Sequence, residues 1–277
     1  MPDVRPAAVA GMFYPAAPAA LAADVRAHLA GAAARPAETA ATPKALIAPH
    51  AGYVYSGRIA AAAYAQLEAA RGTIRRVVLF GPAHRVPVRG LALPTARAFA
   101  TPLGTVTVDR QAAIAVLALP QVCENDAAHA SEHSLEVQLP FLQTALGEFS
   151  IVPLVVGDAT PEDVADVIDL LWGGPETLFV VSSDLSHYHR YAEAREMDRA
   201  TADAVLALSA TLDHEQACGA TPINGLLLAA RRHGLRPELL DLRNSGDTAG
   251  DKSRVVGYAS FAFTEREPVG RSQGGRA

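Results

Sequence analysis

The sequence has 277 residues, half of them hydrophobic, and a formal net charge of −5. That length is enough for one sizeable core, and α/β sheets of this size often form a single domain. Its Lys and Arg residues are dispersed along the sequence. They form no basic cluster of the kind that predicts binding to nucleic acid or to an anionic membrane.

The sequence points to a cytoplasmic location. Cys123 and Cys218 are its two cysteines, too few for a disulfide framework, so free thiols in a reducing compartment are expected. The first 21 residues lack the uninterrupted apolar core of a signal peptide. No stretch reaches the roughly 18 consecutive apolar residues that a membrane helix needs.

Short β-like runs alternate with helical patterns along the chain. This alternation predicts an α/β fold with a mainly parallel sheet flanked by helices. Five runs are predicted to be strands: residues 45–48, 76–80, 151–156, 178–181 and 255–263. Pro153 cannot donate to a strand ladder, so it indicates an edge strand or a bulge.

Helices are predicted between these strands. One runs from about Ser56 to Ala69, and a second, at about 135–146, should be kinked by Pro140. A third follows Thr160, which is placed to cap it, with Pro161 at its first position. Residues 1–264 are expected to form the domain, and residues 265–277 a disordered tail.

Histidines follow three of the predicted strands, at the point where each strand ends. His50 follows the first strand, His84 the second, and Asp184 and His187 the fourth. In open α/β sheets, ligands bind outside the carboxyl ends of the strands. We therefore expect these side chains to meet at one edge of the sheet.

Cys218 precedes a predicted helix, in which Thr221 resembles an N-cap and Pro222 the first helical residue. The positive end of a helix dipole favours the thiolate, which binds metals or attacks electrophiles. Cys123 is instead expected to be a small buried hydrophobic residue.

His133 and Glu136 are three residues apart near the start of the second helix. At that spacing they would share a helix face and could act as a base and its orienting carboxylate. Alternatively, Glu132 and Glu136 only favour the first turn of that helix electrostatically.

The chain resembles the MEMO family (mediator of ErbB2-driven cell motility) from about residue 5 to residue 263. The block 245–259 resembles the prokaryotic branch, often called AmmeMemoRadiSam system protein B. Six motifs in family order carry the resemblance: Gly11–Pro15, Pro49–Tyr53, Gly81–His84, Glu132–Ser134, Ser182–His187 and Cys218–Gly219 with Pro222.

The resemblance implies a fold similar to that of the class III extradiol ring-cleaving dioxygenases, which bind non-haem Fe(II) through two His and one carboxylate. In the MEMO pattern the metal ligands are two His and one Cys. These correspond to His50, His84 and Cys218, with Asp184 and His187 beside them. Functional links to a radical-SAM protein and an AMMECR-type protein are also implied. An animal member would carry a further His shortly after the Cys-Gly pair, and this chain lacks that His. The effect of that His on the metal therefore does not carry over to this chain.

Two imidazoles and a thiolate suit Fe(II), copper and zinc rather than Mg or Ca. Iron is expected first and copper next. The first functional hypothesis is a metal-dependent oxidoreductase of the dioxygenase-like kind, with His187, Asp184 and His133 as catalytic groups. The second is a non-catalytic metal carrier or interaction scaffold that binds a small molecule or peptide. The third makes Cys218 a nucleophile with His187 or His133 as its base.

Overall fold

The computed structural model describes residues 2–33 and 41–265. The predicted tail at 265–277 lies outside these residues, except for Glu265, which ends the last strand. All five predicted strands are present. The described strands are β1 (Val4–Arg5), β2 (Ala45–Ala48), β3 (Arg76–Pro82), β4 (Leu91–Leu93), β5 (Ala98–Thr101), β6 (Gly104–Val108), β7 (Val122–Glu124), β8 (Ser150–Val156), β9 (Thr177–Ser182), β10 (His187–His189), β11 (Leu235–Asn244) and β12 (Val255–Glu265).

Helices connect these strands and cover the sheet. They are α1 (Pro18–Ala33), α2 (Tyr53–Tyr64), α3 (Arg110–Leu117), α4 (Asp126–Ala130), α5 (Leu139–Leu146), α6 (Pro161–Leu170), α7 (Tyr191–Leu206) and α8 (Ala220–Arg232). Short 3₁₀ turns occupy 65–70, 136–138 and 245–247. Within the described ranges, no helix combines the length and the hydropathy required to cross a membrane.

The sheet is mixed, with a parallel centre. Strands β6, β8, β3, β9 and β2 lie side by side in parallel. On the far side of β2, strand β12 pairs antiparallel with β2, β10 and β11. The short connection 245–254 explains the antiparallel β11–β12 pair, because parallel neighbours need a longer crossover. The prediction of a mainly parallel sheet therefore holds for the centre and for the β1–β5 and β4–β7 pairs, and it fails for the pairs made by β12.

The predicted kinked helix over 135–146 is wrong in its first half. A 3₁₀ turn covers 136–138, and α5 begins at Leu139 with Pro140 in its first turn. At that position proline removes no helical hydrogen bond, so it starts the helix rather than bending it. The cap predicted for α6 is confirmed, since the Thr160 side chain accepts from the Asp163 N–H in a capping box.

Pro153 lies inside the sheet, so the edge strand it indicated is not found. Strand β8 pairs with β3 along its whole length, including the register between Leu79 and Pro153. On its other side, β6 pairs at 150–151 and β4 at 155–156. Pro153, which has no backbone N–H to donate, therefore lies between the part of β8 that pairs with β6 and the part that pairs with β4.

Both faces of the sheet are buried. Along β2, Leu46 and Ala48 point to one core, and Ala45 and Ile47 point to the other. This is the alternation expected for a strand that is covered on both sides. Helices α1, α2 and α5 supply the first core, and α6 and α8 contribute to the second. Because apolar side chains cover both faces, a polar site is expected at the ends of the strands.

Candidate metal site

The carboxyl ends of β3, β9 and β2 meet at one edge of the sheet, as predicted, because these strands are parallel neighbours. His50, His84 and Asp184 each follow the last residue of their strand by two positions. His50 is only 2% exposed, so this edge brings at least one imidazole into the protein interior.

Three imidazoles gather at this edge. His50, His84 and His133 each offer a ring nitrogen, and these nitrogens lie within 4.8 Å of one another. The ring centroids are 5.2 Å apart for His50 and His84, 5.4 Å for His50 and His133, and 4.7 Å for His84 and His133. In the part of the chain that the structure describes, this is the group of His, Cys, Asp and Glu ligand atoms close enough to hold a metal ion.

The tautomer of His50 follows from its hydrogen bonds. Its Nδ1 lies 2.8 Å from the Ser182 hydroxyl oxygen. That hydroxyl donates to the Ser134 carbonyl at 2.6 Å and accepts from the Gln138 amide at 2.7 Å. Because its one proton is already committed, the Ser182 hydroxyl accepts from Nδ1–H of His50. The Nε2 of His50 therefore keeps its lone pair for a ligand.

His84 is oriented by a buried carboxylate. Its Nδ1 lies 2.9 Å from Oε1 of Glu132, and its backbone N–H donates to Oε2 at 2.7 Å. Burial alone would raise the pKa of Glu132, but hydrogen bonds from His84 and from the Ser134 N–H lower it to about 2. Carboxylates that hold the second nitrogen of a histidine are typical partners of metal ligands.

The sequence suggested Glu136 as one possible orienting carboxylate and gave no such role to Glu132; the role suggested for Glu136 is wrong. Residues 133–135 are not helical, so the three-residue spacing does not place His133 and Glu136 on one face. Glu136 is instead fully buried against Arg5. One feature of the sequence could have identified Glu132: it directly precedes His133 and follows a short helix.

His133 and His50 are both neutral at neutral pH. Burial and the neighbouring His50 lower the pKa of His133 to about 4. Burial and the neighbouring His84 lower the pKa of His50 to about 3. Nδ1 of His133 is buried and has no hydrogen-bond partner among the described residues, although it lies 3.4 Å from Glu132 Oε1. Neutral imidazoles with an unpaired buried nitrogen fit a transition-metal ion.

Cys218 adjoins the imidazole group on the side of His50. Its Sγ lies 3.5 Å from Nε2 of His50, where about 3.6 Å is expected between a nitrogen and a sulfur ligand of one tetrahedral ion. Burial, and then Asp184, raise the pKa of the Cys218 thiol to about 12. The predicted dipole-stabilised thiolate is therefore wrong for the metal-free protein, and a free nucleophile is disfavoured. A bound cation would act against this effect of burial and favour the thiolate.

Two smaller cysteine predictions also fail. Helix α8 begins at Ala220 with Gly219 as its N-cap, so Thr221 is not the cap. Cys123, in β7, is exposed rather than buried.

Asp184 and His187 lie beside the group as predicted, with different environments. Asp184 is buried, its Oδ1 accepts the His50 backbone N–H at 2.8 Å, and burial raises its pKa. His187 is partly exposed at the start of β10, next to Tyr188, whose φ of 64° is unusual for a residue other than glycine. Asp184 thus holds the backbone of His50, and His187 remains open to solvent.

The fold and the site define an α/β protein whose histidine cluster, at the carboxyl ends of parallel strands, could hold a metal ion. The family model for Memo-like proteins matches residues 5–262, and the chain belongs to this family. It is 36% identical to a MEMO1 family protein of Sulfolobus acidocaldarius, an alignment that covers 94% of this chain and 99% of that one. It is also 36% identical to MEMO1 family proteins of Archaeoglobus fulgidus, over 92% of this chain and 97% of the relative, and of Aquifex aeolicus, over 80% and 86%.

Proposed function

We propose that this chain is a metal-dependent oxidoreductase in which His50, His84 and Cys218 bind Fe(II), with copper as the next candidate and zinc after it. The observation that carries the proposal is that ring nitrogens of His50 and His84 lie within 4.8 Å of each other, with Cys218 Sγ 3.5 Å from Nε2 of His50. This donor set suits iron, copper and zinc and does not suit Mg or Ca.

The residues around the ligands supply orientation and proton transfer. Glu132 and Ser182 hold the Nδ1 atoms of His84 and His50 and so direct both Nε2 lone pairs away from the protein partners. His133 is neutral, and 13% of its side chain is exposed, so it can accept a proton from a substrate hydroxyl. His187 is the second proposed acid–base group. Asp184 acts through the backbone of His50.

A bound Fe(II) ion would supply one-electron redox chemistry and a site at which O₂ and substrate could both bind. This proposal includes a relationship in fold to the class III extradiol dioxygenases, which the parallel strands and their edge histidines support. A cytoplasmic location, supported by two free cysteines, belongs to the same proposal.

Metal analysis of tag-free protein tests the site. We expect about one iron ion per chain with submicromolar affinity, and His50→Ala should abolish binding. His233→Ala is the matched control, because His233 stacks on Trp172 beyond the far end of α8. Equal metal content in His50→Ala and the unaltered protein would show that the site is assigned wrongly.

Catalysis needs a separate test. Anaerobic Fe(II) loading followed by exposure to O₂, with and without catechols, should give substrate-dependent O₂ uptake. Metal binding without uptake across a broad substrate panel would favour the metal carrier or scaffold instead.

A further inference from the structure

One segment, 129–138, reaches every imidazole of the cluster. It contributes His133 itself, and Glu132 holds the His84 ring. The Ser134 carbonyl and the Gln138 amide both bond the Ser182 hydroxyl that holds His50. Whatever fixes this segment therefore fixes the positions of all three rings.

Arg5 binds this segment from the N-terminal part of the chain. Its side chain is fully buried, and its guanidinium donates to the His129 carbonyl at 2.7 Å and the Glu132 carbonyl at 2.6 Å. A third donor pairs with Glu136 Oε2 at 2.5 Å. The planar guanidinium thus joins the carbonyl of His129, which lies in α4, to Glu132 and Glu136, which lie in the short segment between α4 and α5.

Glu136 completes the connection. Its carboxylate accepts the backbone N–H of Ala8 at 2.8 Å and of Val9 at 3.0 Å, and it also accepts the Tyr14 hydroxyl. Burial and Glu136 raise the pKa of Tyr14, so its hydroxyl stays a donor. Residues 5–14 are therefore bound to the segment that builds the metal site.

We propose that the buried Arg5–Glu136 pair positions the metal ligands, an inference that rests on the proposed metal site. Neither side chain contacts an imidazole, so both act through the segment 129–138. A buried ion pair has strict geometry, and removing one partner leaves a buried charge uncompensated. Loss of Arg5 should displace Glu132 and His133 together, and lost outer-shell support typically weakens metal binding by about 10–100-fold.

Lys44 provides a matched control for a purely structural role. It is also buried and donates to three carbonyls, those of Trp172, Gly174 and Thr177, at 2.6, 2.6 and 3.0 Å. It precedes β2, at the opposite end of that strand from His50. Arg5→Met and Lys44→Met both remove a buried cation, but only the first lies against the site segment.

The experiment is Co(II) titration of the full-length metal-free proteins against a competing chelator, with absorption spectra of the loaded forms. Arg5→Met should bind Co(II) about 10–100-fold more weakly and with an altered spectrum, and Arg5→Lys should recover part of the loss. Lys44→Met should lower thermal stability but keep the affinity and the spectrum. An Arg5→Met protein with unaltered affinity and spectrum would overturn the proposal.

A second measurement does not depend on metal. The backbone N–H groups of His84 and Ser134 donate to Glu132 at 2.7 and 2.9 Å, so hydrogen exchange at these amides reports the position of that carboxylate. Exchange there should be faster in Arg5→Met than in Lys44→Met. If the unaltered protein binds no metal, the proposed function fails. Hydrogen exchange at the His84 and Ser134 amides then tests by itself whether Arg5 positions this segment. If Arg5→Met does not fold, Glu136→Gln takes its place, and unchanged exchange in that variant contradicts the inference.

Discussion

Nδ1 of His84 lies 2.9 Å from Oε1 of Glu132, while the backbone N–H of the same histidine donates to the other carboxylate oxygen at 2.7 Å. One buried carboxylate therefore fixes both the ring and the main chain of a proposed ligand. Because a carboxylate can only accept, the contact places a proton on Nδ1 of His84 and leaves Nε2 for a ligand.

Glu132→Gln should weaken metal binding by about 10–100-fold, because the amide cannot supply the charge that makes His84 a better ligand. Isothermal titration with Zn²⁺ measures the effect. Glu124→Gln is the control, since Glu124 is exposed and pairs with Arg110 on the surface at 3.6 Å. Equal loss in both variants would show that the effect is not specific to the site.

Ser182→Ala should also weaken metal binding, because Nδ1 of His50 and the Gln138 amide would lose their common partner. Ser260→Ala is a close control, since Ser260 is equally buried and its hydroxyl has no hydrogen-bond partner in the described chain. Nitrogen-15 spectra of the imidazoles should show a tautomer change at His50 in the first variant and none in the second. An unchanged His50 signal in Ser182→Ala would contradict the assigned proton position.

The part of the site that could be predicted from sequence is the part that depends on strand ends. His50, His84 and Asp184 follow buried apolar runs, and parallel strands bring their carboxyl ends to one edge. Periodicity and capping residues likewise identified the central strands and α6.

The rest depends on tertiary contacts that leave no local pattern. Glu132 acts from an irregular segment held by Arg5, 127 residues away along the chain, and no periodicity connects the two. The thiol of Cys218 was judged from its helix alone, whereas burial around it outweighs the helix dipole. The antiparallel direction of β12 was missed because direction depends on the connection, not on the composition of the strand.

The contributions of Cys218 and His133 can be separated with Co(II). Cys218→Ser should remove thiolate charge-transfer absorption and weaken binding, because serine is a poor ligand for this ion. His133→Asn should retain that absorption if His133 is the proton acceptor. Loss of binding in His133→Asn with full retention in Cys218→Ser would instead assign three imidazole ligands.

Asp198 gives a prediction on stability that is independent of metal. It is 2% exposed, and its Oδ1 accepts the Ser186 backbone N–H at 3.1 Å, just behind the segment that carries Asp184 and His187. Burial raises its pKa from 3.8 to about 6. Between these values the folded protein keeps a proton that the unfolded chain has lost, so this carboxyl lowers the free energy of unfolding as pH rises from about 4 to 6.

Asp198→Asn removes this titration and can still accept the Ser186 N–H. Relative to the unaltered protein, the variant should gain about 2 kcal/mol in unfolding free energy between pH 4 and pH 7. Urea unfolding of both proteins across that range measures the difference, in which the shared histidine titrations cancel. Asp203→Asn, an exposed change on the same helix, controls for net charge. A difference for Asp198→Asn that stays constant with pH would show that the buried carboxyl is already ionised at pH 4, against the raised pKa that its burial implies.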